Sequence, residues 1–246
     1  MGDLTGRTVV VTGAGGGIGR AACERLLADG ARVVALDLDP SGVVASCATD
    51  RIIGVACDVG DEASVEAAMV RAAEEFGPLT GLFASAGIGL KGRLHEMPLA
   101  DWDRTIRVNL TGVFLSVKHV LPSMMAAGGG SIVTTGSISS VLASPGGAVS
   151  YKASKAGVNL LTKTVAVEYA DHGVRANCLC PGAVETGFGS PAAAVGGAPS
   201  PVSARAPLRR KAAPAEIASI VSFLLSEESS YMTGATVMAD GGFTAG

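Results

Sequence analysis

The sequence has few aromatic residues, few charges and almost nothing suited to binding metal. Six Phe, three Tyr and one Trp make up 4% of its 246 residues, and charged residues make up 17%. The formal net charge is −3, and no run of Lys or Arg is longer than Arg209-Arg210-Lys211, so no basic stripe is available to nucleic acid. His95, His119 and His172 show no ligand spacing. Cys23, Cys47, Cys57, Cys178 and Cys180 include no Cys-x-x-Cys pair, so no metal site is expected. Cys178 and Cys180 would share one face of a strand, and core packing is expected of all five. The longest charge-free stretches, Ser131–Tyr151 and Thr186–Ser203, are rich in Gly, Ser and Pro. Neither reads as a membrane span, and Met1–Thr8 lacks the basic and apolar pattern of a leader. The cytoplasm is the expected compartment.

Glycine, by contrast, is abundant: 34 residues, about twice the usual ~7%. The glycines gather at a few points, which suggests tight turns near a ligand. Between them, short apolar runs alternate with longer amphipathic segments. Strands are expected at 7–12, 32–36, 52–56, 81–85, 131–135, 174–179 and 236–239. Helices are expected at 18–29, 63–76, 101–127, 154–171 and 214–226. Runs apolar on both faces suit a parallel sheet covered on both sides. The pattern predicts an α/β fold, a doubly wound parallel sheet of about seven strands with helices on both faces, in one domain. The Pro/Gly-rich segment Gly187–Arg205 is long for a loop and is expected to be a substrate lid.

The first strand runs into Gly13-Ala-Gly-Gly-Gly17-Ile18-Gly19 and then a helix. Such a turn brings main-chain N–H groups and a helix N-terminus to a pyrophosphate. Asp37 follows the second strand, where a carboxylate accepts from the adenosine ribose hydroxyls. The same carboxylate would repel a 2′-phosphate, so NAD is expected rather than NADP. Gly16 and Leu38 stand where a compensating cation would be placed, and Arg20 and Arg32 are the near alternatives. Asp58, after the third strand, reads either as a turn former or as an adenine contact, with Val59 beside it.

Tyr151 and Lys155 are spaced i, i+4 on a helix, so both can address one ligand. A phenol is a poor base at neutral pH unless a cation such as Lys155 stabilises its phenolate.

Taken with the glycine turn, these residues resemble the short-chain dehydrogenase/reductase family, in its compact single-domain branch. The likeness runs along essentially the whole chain. It is carried by Thr12-Gly13-x-x-x-Gly17-x-Gly19, Ala86-Gly87, Asn109 in Val-Asn-Leu-Thr-Gly, Ser137, Tyr151-x-x-x-Lys155, Pro181-Gly182 and Asp240-Gly241-Gly242. The resemblance implies that Tyr151 is a general acid/base, Lys155 its partner and a holder of the nicotinamide ribose, and Ser137 the residue that orients the substrate oxygen. Asn109 would hold a water linked to Lys155. Ala84, Ala86, Gly87, Pro181, Gly182, Val184 and Thr186 would line the cofactor. Two departures stand out. Ala84-Ser85 replaces the family's usual pair of asparagines, and Ser139 is an alternative to Ser137.

The expected reaction is hydride exchange between NAD(H) and a small neutral secondary alcohol or ketone, carried out by a homotetramer. An NAD-binding scaffold without turnover, and a lyase or epimerase on the same fold, are the alternatives. Pocket walls are expected from 88–95, 139–148 and 187–205, mostly small or apolar.

Overall fold

All seven expected strands form, and they form one sheet. The computed structural model describes residues 2–143, 148–188 and 201–246. Its strands are β1 (Thr8–Thr12), β2 (Arg32–Asp37), β3 (Ile52–Ala56), β4 (Gly81–Ala84), β5 (Gly130–Thr135), β6 (Val174–Pro181) and β7 (Thr236–Ala239). They lie in the order β3-β2-β1-β4-β5-β6-β7, and every neighbouring pair is parallel. Parallel neighbours need a crossover, and helices supply it. These are α1 (Gly17–Ala28), α2 (Ser41–Cys47), α3 (Glu62–Phe76), α4 (Leu99–Ile106), α5 (Gly112–Ala126), α6 (Val149–Glu168), α7 (Pro201–Arg205) and α8 (Pro214–Leu225).

The sheet separates two apolar layers. On one face Leu26 of α1 and Ile217 and Leu224 of α8 pack with Val9, Val33 and Leu179. On the other, Val65 and Met69 of α3, Val120 and Met124 of α5, and Val158 of α6 pack with Val10, Leu82 and Ile132. Each such side chain contributes about 1.5–3 kcal/mol when fully buried. Strand β1 is buried along its whole length, as a central strand covered on both faces must be, while the edge strand β3 is exposed at alternate positions. Asp61 caps α3, its carboxylate accepting from the Ala63 N–H at 3.0 Å.

Strand order reverses beside β1, between β2 on one flank and β4 on the other. The crevice that such a reversal opens lies at the carboxyl ends of the strands. Register aligns those ends: Thr12 pairs with both Leu36 and Ala84, Ala84 with Thr134, and Thr135 with Leu179. Residues far apart in sequence therefore meet along one rim.

Two helix boundaries change, and one helix is added. The segment expected as a helix over 101–127 is two helices, because Arg107–Thr111 forms a π-turn with i→i+5 bonding between them. Helix α6 begins at Val149, so Tyr151 and Lys155 both lie in its first turns. Helix α2 was not expected at all. Of the expected lid, 187–205, residues 189–200 lie outside the described residues, as do 144–147 of the expected pocket wall; Pro201–Arg205 forms α7.

All five cysteines are free; Cys47 is half-buried and the other four are buried. Cys178 and Cys180 share a face of β6, with their Sγ atoms 3.8 Å apart. Among the described residues no cluster of His, Cys, Asp and Glu could hold a metal ion. No described helix is long and apolar enough to cross a membrane.

Candidate active site

The glycine turn is shaped by the absence of side chains. Gly13 has φ +68°, a region that L side chains rarely adopt. A Cβ there would sit 2.7 Å from Ala86 Cα, and one on Gly19 would lie 2.1 Å from the Gly13 carbonyl oxygen. A Cβ on Gly17 would press on the Thr186 methyl at 2.8 Å. Gly16 occupies the N-cap of α1 without a side-chain cap, and the first turn carries no acid. Its positive end is thus left open to an anion from outside. Thr12 Oγ1 accepts from the N–H groups of Ser85 and Ala86 at 3.1 and 3.2 Å. That bond holds the Ala84–Gly87 segment against the turn by main-chain contacts, without the amide side chains missing here.

Asp37 closes the turn from the neighbouring strand. Its Oδ2 accepts from the Gly15 N–H at 2.9 Å, and its carbonyl accepts from the Cys57 N–H at 2.8 Å. Leu38 is exposed, and Arg20 is paired with Glu24 at 3.3 Å. Arg32 is not near Asp37: the two stand at opposite ends of β2, and the guanidinium lies over Phe76. Asp58 is a turn former: Oδ1 accepts from the Gly60 N–H at 2.8 Å, and Oδ2 pairs with Arg107 at 3.1 Å. Any adenine contact would be additional to these. The Val59 side chain is buried in the core against Gly112, so only its main chain is available to a ligand. Ile18 is partly buried and packs toward the α1/α8 core.

The polar corner lies across the crevice. Lys155 is buried, and its Nζ donates to the Thr135 carbonyl at 2.7 Å while lying 5.7 Å from the centre of the Tyr151 ring. Burial lowers the Lys155 ammonium from 10.5 to about 8. Burial also pushes the Tyr151 phenol up, and its hydrogen bond with the Ser137 side chain opposes that rise. The expectation that Lys155 holds the phenol down is therefore not met in this state. Desolvation is the largest cause of the shift, and the group that opposes it is Ser137.

Ser137 is the serine bonded to Tyr151, and Ser139 is not: Ser139 uses its main-chain N–H to donate to Ser137 Oγ at 3.1 Å. Ser140, which the sequence pattern did not single out, ties the corner together. Its Oγ accepts from the Ser137 N–H at 3.1 Å and donates to the Lys155 carbonyl at 2.8 Å.

Asn109 lies in the π-turn and is fully buried. Its amide accepts from the Ile88 N–H at 2.8 Å and donates to the Ile88 carbonyl at 2.9 Å and to Ser154 Oγ at 3.2 Å. Both amide protons are occupied, so it clamps the segment that follows Gly87 to α6. Gly87 lies between Asn109 and Lys155 and has room for no more than a contact Cβ. Pro181 ends β6, the Gly182 N–H donates to the Ala239 carbonyl, and Val184 bridges to Ala212. Together these bonds aim Thr186 at Gly17. Among the described residues two buried hydroxyls, Ser150 Oγ and Thr135 Oγ1, have no hydrogen-bond partner, and Thr135 is the residue whose carbonyl accepts from Lys155.

A family model described as enoyl-(acyl carrier protein) reductase matches residues 13–244. The chain is 46% identical to cis-4-hydroxycyclohexanecarboxylate dehydrogenase of Sinomonas cyclohexanicum, over 97% of each chain. It is 38% identical to 2-(R)-hydroxypropyl-CoM dehydrogenase of Xanthobacter autotrophicus, over 97% of this chain and 99% of that one. A solved short-chain dehydrogenase/reductase from Mycobacterium marinum superposes with a TM-score of 0.92 at 31% identity, over 99% of this chain and 98% of that one. Levodione reductase superposes with a TM-score of 0.90 at 36% identity, over 98% of both. These relatives are named as dehydrogenases or reductases, which supports alcohol oxidoreductase activity. With its sheet order, glycine turn and Tyr–Lys pair, the chain belongs to the short-chain dehydrogenase/reductase family, which typically uses a nicotinamide cofactor.

Proposed function

We propose that the protein is an NAD-dependent dehydrogenase that interconverts a small secondary alcohol and its ketone. The observation that carries this reading is the Tyr151–Ser137–Lys155 corner facing an uncapped glycine turn across one crevice. The glycine turn fits a pyrophosphate, since its main chain is uncovered and the end of α1 has no anion of its own. Asp37 has a second oxygen to offer the adenosine ribose, and among the described residues no basic side chain is bonded to it. Gly13, Gly17, Ile18 and Gly19 would hold the phosphates. Asp37 and the Asp58-Val59 turn would hold the adenosine half, and Ala84, Ala86 and Gly87 would cover it. Pro181, Gly182, Val184 and Thr186 would flank the nicotinamide. When bound, that ring supplies the two-electron exchange.

The chain's own residues handle the proton. Tyr151 Oη gives a proton to the substrate oxygen in reduction and takes it in oxidation, as a general acid/base. Ser137 Oγ fixes that oxygen by a hydrogen bond. With the cofactor bound, Lys155 would steady the phenolate and reach toward the cofactor ribose. Both amide protons of Asn109 are taken, so a water on the path from Lys155 would donate to its Oδ1 or be held by main-chain groups of the π-turn. The 46%-identical relative is named for a hydroxycyclohexanecarboxylate, and the ring of such an alcohol suits the small apolar residues around the crevice.

Exposed Phe114 and Met125 on α5, and Leu160 and Val167 on α6, support assembly of the chain into a homotetramer, to be checked by its mass in light scattering. Free thiols throughout suit the cytoplasm. The test of function is absorbance of the reduced nicotinamide with a panel of secondary alcohols, using NAD and NADP in parallel. Turnover with NAD and a several-hundred-fold weaker kcat/KM with NADP is expected. No turnover of any secondary alcohol or ketone with either cofactor would remove the proposal.

A further inference from the structure

Phe188 is one of only ten aromatic residues in the chain, and it stands in a segment of otherwise small residues. Its ring lies against Tyr151, with centroids 5.8 Å apart and planes tilted by 53°. On another side it rests on Gly89: a Cβ there would come within 3.1 Å of Phe188 Cε1 and 3.4 Å of Cζ. The Phe188 N–H donates to Thr186 Oγ1 at 3.3 Å, so the residue is fixed to the same strut that touches the glycine turn. Half of its surface is nonetheless exposed. An aromatic ring held on two sides, half exposed and beside the reacting phenol, is placed to contact whatever the phenol holds.

We infer that Phe188 determines the substrate class: its open face packs on the ring of an alicyclic secondary alcohol whose hydroxyl is held by Tyr151 and Ser137. This inference rests on the reading of the site as an alcohol dehydrogenase. The physical argument has two parts. A cyclohexane ring presents a rigid row of C–H groups to an aromatic face, and such contacts favour it. An acyclic alcohol of equal carbon number must immobilise several bonds to make the same contact, which weakens its binding. Gly89 matters because it lets Phe188 sit back. A side chain at 89 would push the ring toward Tyr151 and narrow the slot.

The experiment compares kcat/KM for cyclohexanol and hexan-2-ol in the native enzyme, Phe188→Ala, Phe188→Leu and Phe188→Tyr. A ring preference of about tenfold is expected in the native enzyme and in Phe188→Tyr, which keeps the aromatic face. In Phe188→Ala and Phe188→Leu the ratio should fall to within about threefold of unity, whatever the absolute rates. A second arm measures binding of cyclohexanone and hexan-2-one by calorimetry to Tyr151→Phe and Tyr151→Phe/Phe188→Ala, each saturated with reduced cofactor. The ring ketone should bind more tightly only where Phe188 is present. A ring preference that survives Phe188→Ala, or one that is lacking from the outset, overturns the inference. If the native enzyme turns over neither alcohol, the calorimetry alone decides the role of Phe188, and the proposed function is decided by the wider panel of secondary alcohols and ketones. Failure of both ketones to bind counts against Phe188 as well.

Discussion

The two sides of the crevice are specified in opposite ways. The glycine turn is defined by missing atoms: Gly13, Gly17 and Gly19 each leave a space that a neighbour's main chain or methyl would otherwise contest. The polar corner is defined by atoms that are present and bonded, with Ser137, Ser140, Tyr151, Ser154, Lys155 and Asn109 joined into one network. A turn of the first kind can be recognised in sequence, because a glycine cluster after a strand has few other uses. A network of the second kind is only half legible, because serines are common and their partners are distant.

The comparison predicts that substitutions in the corner damage turnover and leave cofactor binding, while those facing the turn alter cofactor choice. The largest effect is expected at Tyr151. Tyr151→Phe keeps the ring packing and removes the proton, so kcat should fall by ~10²–10⁴. NADH affinity, read by fluorescence titration, should stay within a few fold. A variant that keeps most of its rate would show that the phenol is not the acid/base.

A smaller effect is expected at Asp37. A carboxylate ~4 Å from a 2′-phosphate meets a repulsion of ~4 kcal/mol at an effective dielectric of ~20, an upper bound of roughly 10³ in preference. Asp37→Ser should erase most of the NAD/NADP ratio of kcat/KM. An unchanged ratio would place the cause of the preference elsewhere.

The smallest concerns stability. Lys155 holds its proton only up to about pH 8 when folded, against 10.5 when free. Between those values the unfolded chain binds more protons than the folded one, so stability must rise with pH. The native protein should gain about 3 kcal/mol relative to Lys155→Met as pH rises from 8 to 10.5. Parallel urea-unfolding midpoints for the two proteins across that window would refute a strongly desolvated ammonium.

The strands were legible because each is a short apolar run bounded by turn residues, and their alternation with helices indicated a doubly wound parallel sheet; the order of the strands within it comes from the structure alone. Tyr151 and Lys155 were legible because helical spacing puts them together. Helix α2 was not, since seven residues without a strong apolar stripe are held by packing on β3 rather than by local preference. The ion pair of Asp58 with Arg107 spans 49 positions, and nothing local announces it. Ser140 looked like one of three neighbouring serines; only the fold brings the Lys155 carbonyl to its hydroxyl. Phe188 did leave a signal, as a lone aromatic in a stretch of small residues.

The π-turn has a consequence for how this protein tolerates insertion and deletion. A helix made of i→i+4 bonds has no place for the surplus residue that Arg107–Thr111 accommodates. Removing one residue there would let α4 and α5 join as a regular helix with the same apolar side facing the sheet. The scaffold would survive, and what would retract is the bulge that carries Asn109, with the two bonds it makes to Ile88. At this one place the chain is a residue longer than its architecture requires, and that residue is in the service of the crevice.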